Sequence, residues 1–111
     1  MKGIYLINIQ GTDYYKIGSA KNPKKRLKQL QTACPHCLIL TSVYITDIPN
    51  TLEGTLHRIM SPKKATVDEK LLGEWFELDN FDVKDFLKGC KKIEEGIKFI
   101  EKNSTINKTF R

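Results

Sequence analysis

No stretch of this chain approaches the roughly 18 consecutive apolar residues that span a membrane, and Met1-Lys2-Gly3 runs straight into a strand-like pattern with no signal-peptide core. A cytoplasmic protein is expected. Cysteine is scarce: three residues, an odd number, exclude a fully paired disulfide framework within one chain, so disulfides are not expected to hold the fold together. Internal repeats and low-complexity tracts are absent. No helical pattern joins a basic face to exposed Trp or Phe, as helices lying on a membrane do, and no membrane partner is expected. Acidic residues are missing where basic ones crowd: Lys21, Lys24, Lys25, Arg26 and Lys28 follow one another without an Asp or Glu among them, more than solubility requires.

What is present suits one domain. A length of 111 residues, 40% hydrophobic and 29% charged, allows a single apolar core of ordinary globular composition. The charge is uneven. Residues 1–64 carry ten Lys/Arg against three Asp/Glu, a net +7, whereas residues 65–111 carry nine against ten, a net −1. Such a basic front half points to a polyanionic partner, because each phosphate neutralised by Lys or Arg releases condensed counterions.

Ile4 to Ile9 reads as a central strand with apolar side chains on both faces, Ile4 and Leu6 on one and Tyr5, Ile7 and Ile9 on the other. Gln10-Gly11-Thr12-Asp13 is turn chemistry, and Tyr14 to Gly18 resumes an extended run, so the two segments predict a hairpin. Asn22-Pro23 predicts a helix start, with Asn capping free N–H groups and Pro in the first position; the helix should reach about Thr32. Its buried stripe is Leu27 and Leu30, with Lys25 nearly opposite and Arg26 at the rim. Leu38 to Thr46 reads as a third strand. Asn50-Thr51-Leu52-Glu53 opens a second helix with capping-box spacing, stopped at Ser61-Pro62. Lys63 to Leu72 reads as a polar loop, and Trp75, Phe76 and Leu78 as a short apolar segment closing the core. Val83, Phe86, Leu87, Cys90, Ile93, Ile97 and Ile100 form the stripe of one last helix, with a frayed tail from Asn103; that stripe suits this sheet or another subunit. The expected fold is α+β: a small, mainly antiparallel, three-stranded sheet flanked by helices, with an extra C-terminal helix.

Gly3-Ile4-Tyr5, Lys16-Ile17-Gly18, Arg26 eight positions later and Glu53 on the second helix together resemble the GIY-YIG endonuclease superfamily. Leu52-Glu53 with Leu56-His57, and Gly73-Glu74-Trp75-Phe76, resemble its phage- and virus-associated branch, so a viral chain would work in the host-cell cytoplasm or nucleus. The resemblance covers residues 3 to about 78. It implies a nuclease domain over 1–80, with 81–111 as a helix and tail packed on it. Two features depart from the superfamily: Lys16 stands where most members have tyrosine, with Tyr15 displaced to the other side of the strand, and no asparagine follows the glutamate helix in a matching place.

Hydrolysis of a phosphodiester needs a base for water, neutralisation of the non-bridging oxygens and stabilisation of the departing 3′ oxygen. Tyr5 is the expected base, its phenolate favoured by Lys16 and Arg26; those cations meet the scissile phosphate, Arg26 through its planar donor fork. Glu53 is the expected ligand of Mg²⁺ or Mn²⁺, and as a single protein ligand it implies poor metal affinity without DNA. Lys21, Lys24, Lys25 and Lys28 steer the DNA backbone. His57, four residues after Glu53 on one helix face, joins the candidate catalytic set or orients the carboxylate. Each residue also has a plainer reading: Tyr5 as core filler, Glu53 as half of a capping box, the lysines as a solvated face. The function expected is a metal-dependent endonuclease acting on DNA, and the alternative is an inactive nucleic-acid-binding module of the same fold. Superfamily members usually gain target choice from an attached DNA-binding domain, and the last thirty or so residues are too few for one of ordinary size, so weak specificity or a specificity-supplying protein partner is expected.

Cys34-Pro35-His36-Cys37 has the spacing of a redox pair, but here a helix leads in and a strand follows, the reverse of the order that activates such a thiolate. A zinc site would need a fourth ligand, Cys90 or His57, from elsewhere. A helix-to-strand connector holding reduced thiols is the expectation.

Overall fold

The structure, a computed structural model, describes residues 2–66 and 73–109, with side chains as far as residue 103. The hairpin forms as its pattern predicts. Strand β1 (Gly3–Ile9) pairs antiparallel with β2 (Tyr14–Ala20), Tyr5 opposite Gly18 and Ile7 opposite Lys16. The Asn8 side-chain amide braces the turn, donating to the carbonyls of Thr12 and Tyr14 at 2.9 and 3.0 Å. Helix α1 (Pro23–Thr32) starts on Asn22, whose side chain accepts from the Lys25 N–H at 3.1 Å. Strand β3 (Leu38–Ile45) returns antiparallel on the far side of β1, with an irregularity in register between Leu6 and Ile7.

The sheet is larger than expected. After helix α2 (Pro49–Ile59) and one 3₁₀ turn (Ser61–Lys63), β4 (Lys64–Ala65) and β5 (Trp75–Glu77) extend it to five antiparallel strands in the order β3-β1-β2-β5-β4. Two- and three-residue strands are too short to show alternation, and so Lys64 and Ala65 read as loop. The rest of that expected loop, residues 67–72, lies outside the described residues. The last helix is two. Asp79 and Asp82 form a capping box for α3 (Asn80–Lys84), Asp85 ends it, and α4 (Phe86–Thr109) follows, running through the expected tail. No Gly or Pro lies between Ile97 and Thr109 to stop it.

Each face of the sheet has its own core. Ile4, Leu6, Ile17 and Phe76 pack beneath Leu52 and Leu56 of α2, Leu78, and Phe86 and Cys90 of α4. On the other face Tyr5, Ile7, Ile9, Leu38 and Trp75 lie under α1, whose Leu27 and Leu30 are half-buried. Leu87 and Ile100, counted in the last helix's stripe, are exposed. Among the described residues no helix is long and apolar enough to cross a membrane.

Candidate nuclease site

Four elements bring Tyr5, Lys16, Arg26 and Glu53 within electrostatic reach of one another. Tyr5 and Lys16 project from adjacent strands on the α1 face, since Tyr5 pairs with Gly18 and Lys16 with Ile7. Gly18 is what lets the phenol lie across β2: a Cβ there would stand 2.2 Å from the Tyr5 hydroxyl oxygen. Lys16 rests its ammonium 5.7 Å from the centre of the Trp75 ring, a cation–π contact from the strand opposite it. Gly73, at φ +87°, completes the cradle, because a Cβ on it would fall 2.0 Å from the Lys16 Nζ. Tyr15 packs into the core on the other face, as strand alternation predicts.

The Arg26 guanidinium reaches over from α1 close enough to the Tyr5 hydroxyl to act on its proton. Burial pushes the Tyr5 phenol above its ordinary value, Arg26 pulls it down, and the Glu53 carboxylate pushes it up. The expectation that Lys16 and Arg26 favour the phenolate is therefore corrected: of the two, Arg26 acts on the phenol, and desolvation of a side chain 3% exposed outweighs it. Lys16 moves below the usual lysine range, first through burial, then through repulsion by Arg26, with Glu53 and Glu74 opposing.

Glu53 is not half of a capping box. Pro49 fits the first helical position with its fixed φ, so α2 starts earlier than Asn50, at an Ile48 cap that makes no side-chain bond. The carboxylate falls in the second turn, and among the described residues no hydrogen bond or salt bridge engages it. Glu74 contrasts with it. One of its oxygens pairs with Lys64 Nζ at 3.0 Å and the other with His57 Nδ1 at 2.7 Å, and both partners hold the carboxyl below the ordinary range. The other nitrogen of His57, Nε2, lies 2.7 Å from the Ile17 carbonyl of β2, and the ring meets Phe76 edge-on with centroids 5.3 Å apart.

No group of three or more His, Cys, Asp or Glu able to hold a metal occurs among the described residues. A lone half-buried carboxylate suits a hard oxygen-seeking ion that keeps its waters and takes phosphate oxygens, as Mg²⁺ does; it does not suit zinc. Cys34, His36 and Cys37 sit on the α1-to-β3 connector, braced by Gln31, which donates to the His36 carbonyl and accepts from the Leu38 N–H, both at 2.7 Å. Neither ligand the loop would need joins it there: Cys90 is buried under the opposite face, and His57 is held by Ile17 and Glu74.

The basic residues surround this ground. Lys24, Lys25 and Lys28 are exposed along α1, and Lys21 lines a cleft of about 480 Å³ that opens where β2 ends, with Lys2, Ser19, Asn50 and Thr51 among its walls. Glu74 stands out in the sequence only as part of the Gly73-Glu74-Trp75-Phe76 segment, with no role in the site expected of it. Its signal was its place between Gly73 and Trp75, one residue short of a buried strand and facing the side of the sheet that Phe76 faces.

The sequence family described as the T5orf172 domain matches residues 2–91, from the first strand into α4. No curated protein and no solved structure matches the chain. With most of its length matched, the chain belongs to the T5orf172 domain family, a phage-associated domain of nuclease-like or nucleic-acid-binding character.

Proposed function

We propose that this chain is a metal-dependent endonuclease that hydrolyses DNA phosphodiester bonds through a GIY-YIG-type site. The observation that carries the reading is that Arg26 of α1 and Glu53 of α2 both act on Tyr5 of β1 and Lys16 of β2, with a carboxylate that no hydrogen bond or salt bridge engages among the described residues. A core tyrosine and a solvated helix face need no such arrangement.

Arg26 offers a planar fork to two non-bridging phosphate oxygens, while Lys16, fixed between Trp75 and Gly73, adds a point charge at little conformational cost. Tyr5 takes the proton of the attacking water, and Arg26 lowers the cost of its phenolate. Glu53 would hold Mg²⁺ or Mn²⁺ through one carboxylate oxygen, and the ion would supply charge neutralisation at the departing 3′ oxygen and offset the carboxylate that now raises Tyr5. Lys21, Lys24, Lys25 and Lys28 guide the flanking backbone.

Incubation of supercoiled plasmid with Mg²⁺ or Mn²⁺ tests the proposal. The wild type should nick, and Glu53→Ala and Arg26→Ala should each lose about 10²- to 10³-fold in rate. Cleavage undiminished in both variants excludes this site. DNA binding without cleavage in either metal makes the chain the inactive module instead.

A further inference from the structure

We infer that Glu74 is a positioning residue, acting through His57 to hold Glu53 and Lys16 in register across the site; this rests on the endonuclease reading above. The imidazole bridges two acceptors. A backbone carbonyl only accepts, so Nε2 donates toward Ile17 at 2.7 Å, while Nδ1 faces the Glu74 carboxylate, also at 2.7 Å. Both ring nitrogens are engaged by the protein. His57 is thus a strut, not a base.

The strut ends beside the site at each attachment. Glu53 lies one helical turn before His57 on α2, and Lys16 and Gly18 flank Ile17 on β2. Strand β5 covers β2 only from Tyr14 to Lys16, and the carbonyl that His57 takes belongs to the next residue, so the side chain continues the edge where the strand stops. Phe76 meets the ring edge-on at 70° between planes, and Lys64 steadies the outer oxygen of Glu74. Lys64 belongs to β4, which pairs with β5, so helix, strand edge and lead-in segment are bolted at one point.

Exposure decides between stabilising and positioning. The side chains of His57 and Glu74 are 25% and 44% exposed, and a pair so open to water contributes little to global stability. Alignment of a carboxylate with a cation across a phosphate is sensitive to far smaller disturbances.

Glu74→Ala should leave the melting temperature and the KM for DNA near wild type while lowering kcat about 10- to 100-fold. Glu74→Gln, whose amide oxygen still accepts from Nδ1, should recover most of that loss. A normal kcat in Glu74→Ala, or a change confined to KM, overturns the inference. Nitrogen-15 spectra of the full chain give a readout independent of turnover: the His57 Nε2–H signal should be present in the wild type. Glu74→Ala should shift the carbon-13 resonance of the Glu53 carboxylate, and Glu74→Gln should restore it. A wild type that cleaves no DNA defeats the endonuclease reading, and the spectra then decide alone; an unprotonated Nε2, or an unshifted Glu53 carboxylate, defeats the positioning role.

Discussion

The two faces of the sheet differ in what they bury. Under α2 and α4 lies a closed apolar core in which Ile4, Leu6, Leu52 and Phe76 have no exposure. Under α1 the leucines are half-buried, and a phenol and an ammonium share the surface with a tryptophan and a guanidinium. One face holds the chain together. The other leaves polar groups desolvated and close to like charges, an arrangement that costs stability and that the first face offsets. Helix α2 serves both, since Leu52 enters the core and the next residue, Glu53, acts on Tyr5 and Lys16.

Neighbouring substitutions on α2 break the contrast most sharply. Glu53→Ala should lower cleavage about 10²- to 10³-fold without moving the melting temperature. Leu52→Ala should do the reverse, costing about 2–5 kcal/mol in urea unfolding while the folded fraction keeps its turnover. Equal losses of stability in both variants would show that the faces are not divided in this way.

Gly18→Ala joins the two kinds of effect. Its Cβ would collide with the hydroxyl of a tyrosine packed among Ile7, Ile9 and Trp75, so the ring cannot swing aside freely. A stability loss of about 1–3 kcal/mol is expected, with cleavage reduced because the hydroxyl leaves Arg26.

The smallest effect belongs to the first face. Glu94 of α4 accepts from Thr46 at 2.5 Å and from the Tyr44 hydroxyl, which hold its carboxyl below the usual range, while burial and Glu94 push Tyr44 up to about 12. A lowered carboxylate stabilises the fold above its unfolded value, and that contribution disappears as pH falls through the folded value. The melting-temperature gap between wild type and Glu94→Gln should therefore be fully present near neutrality and shrink in acid. A gap that does not change with pH would remove the carboxylate's role in docking α4.

Much of this was legible in the chain itself. The hairpin, α1 and its Asn22 cap follow from local chemistry, because turn, cap and alternation are written within a few residues of where they act. The two-faced burial of β1 was equally visible. Strands β4 and β5 were not, since their lengths fall below any period. The break at Asp85 lay hidden in a continuous apolar stripe: Val83, Phe86 and Cys90 keep helical spacing across the C-terminal cap of α3. Of the site, the residue types were readable and their balance was not. Whether Arg26 or burial governs Tyr5 depends on packing by α1 and Trp75, and the partner of His57 lies 17 residues away, beyond a segment that reads as loop.

Paramagnetic broadening by Mn²⁺ tests most directly whether the four side chains form one metal-dependent centre. With a short non-cleavable DNA duplex present, resonances of Tyr5, Lys16, Arg26 and the first turns of α2 should broaden together in the wild type and stay sharp in Glu53→Ala. Broadening that centres elsewhere, or that persists unchanged in that variant, would contradict the account.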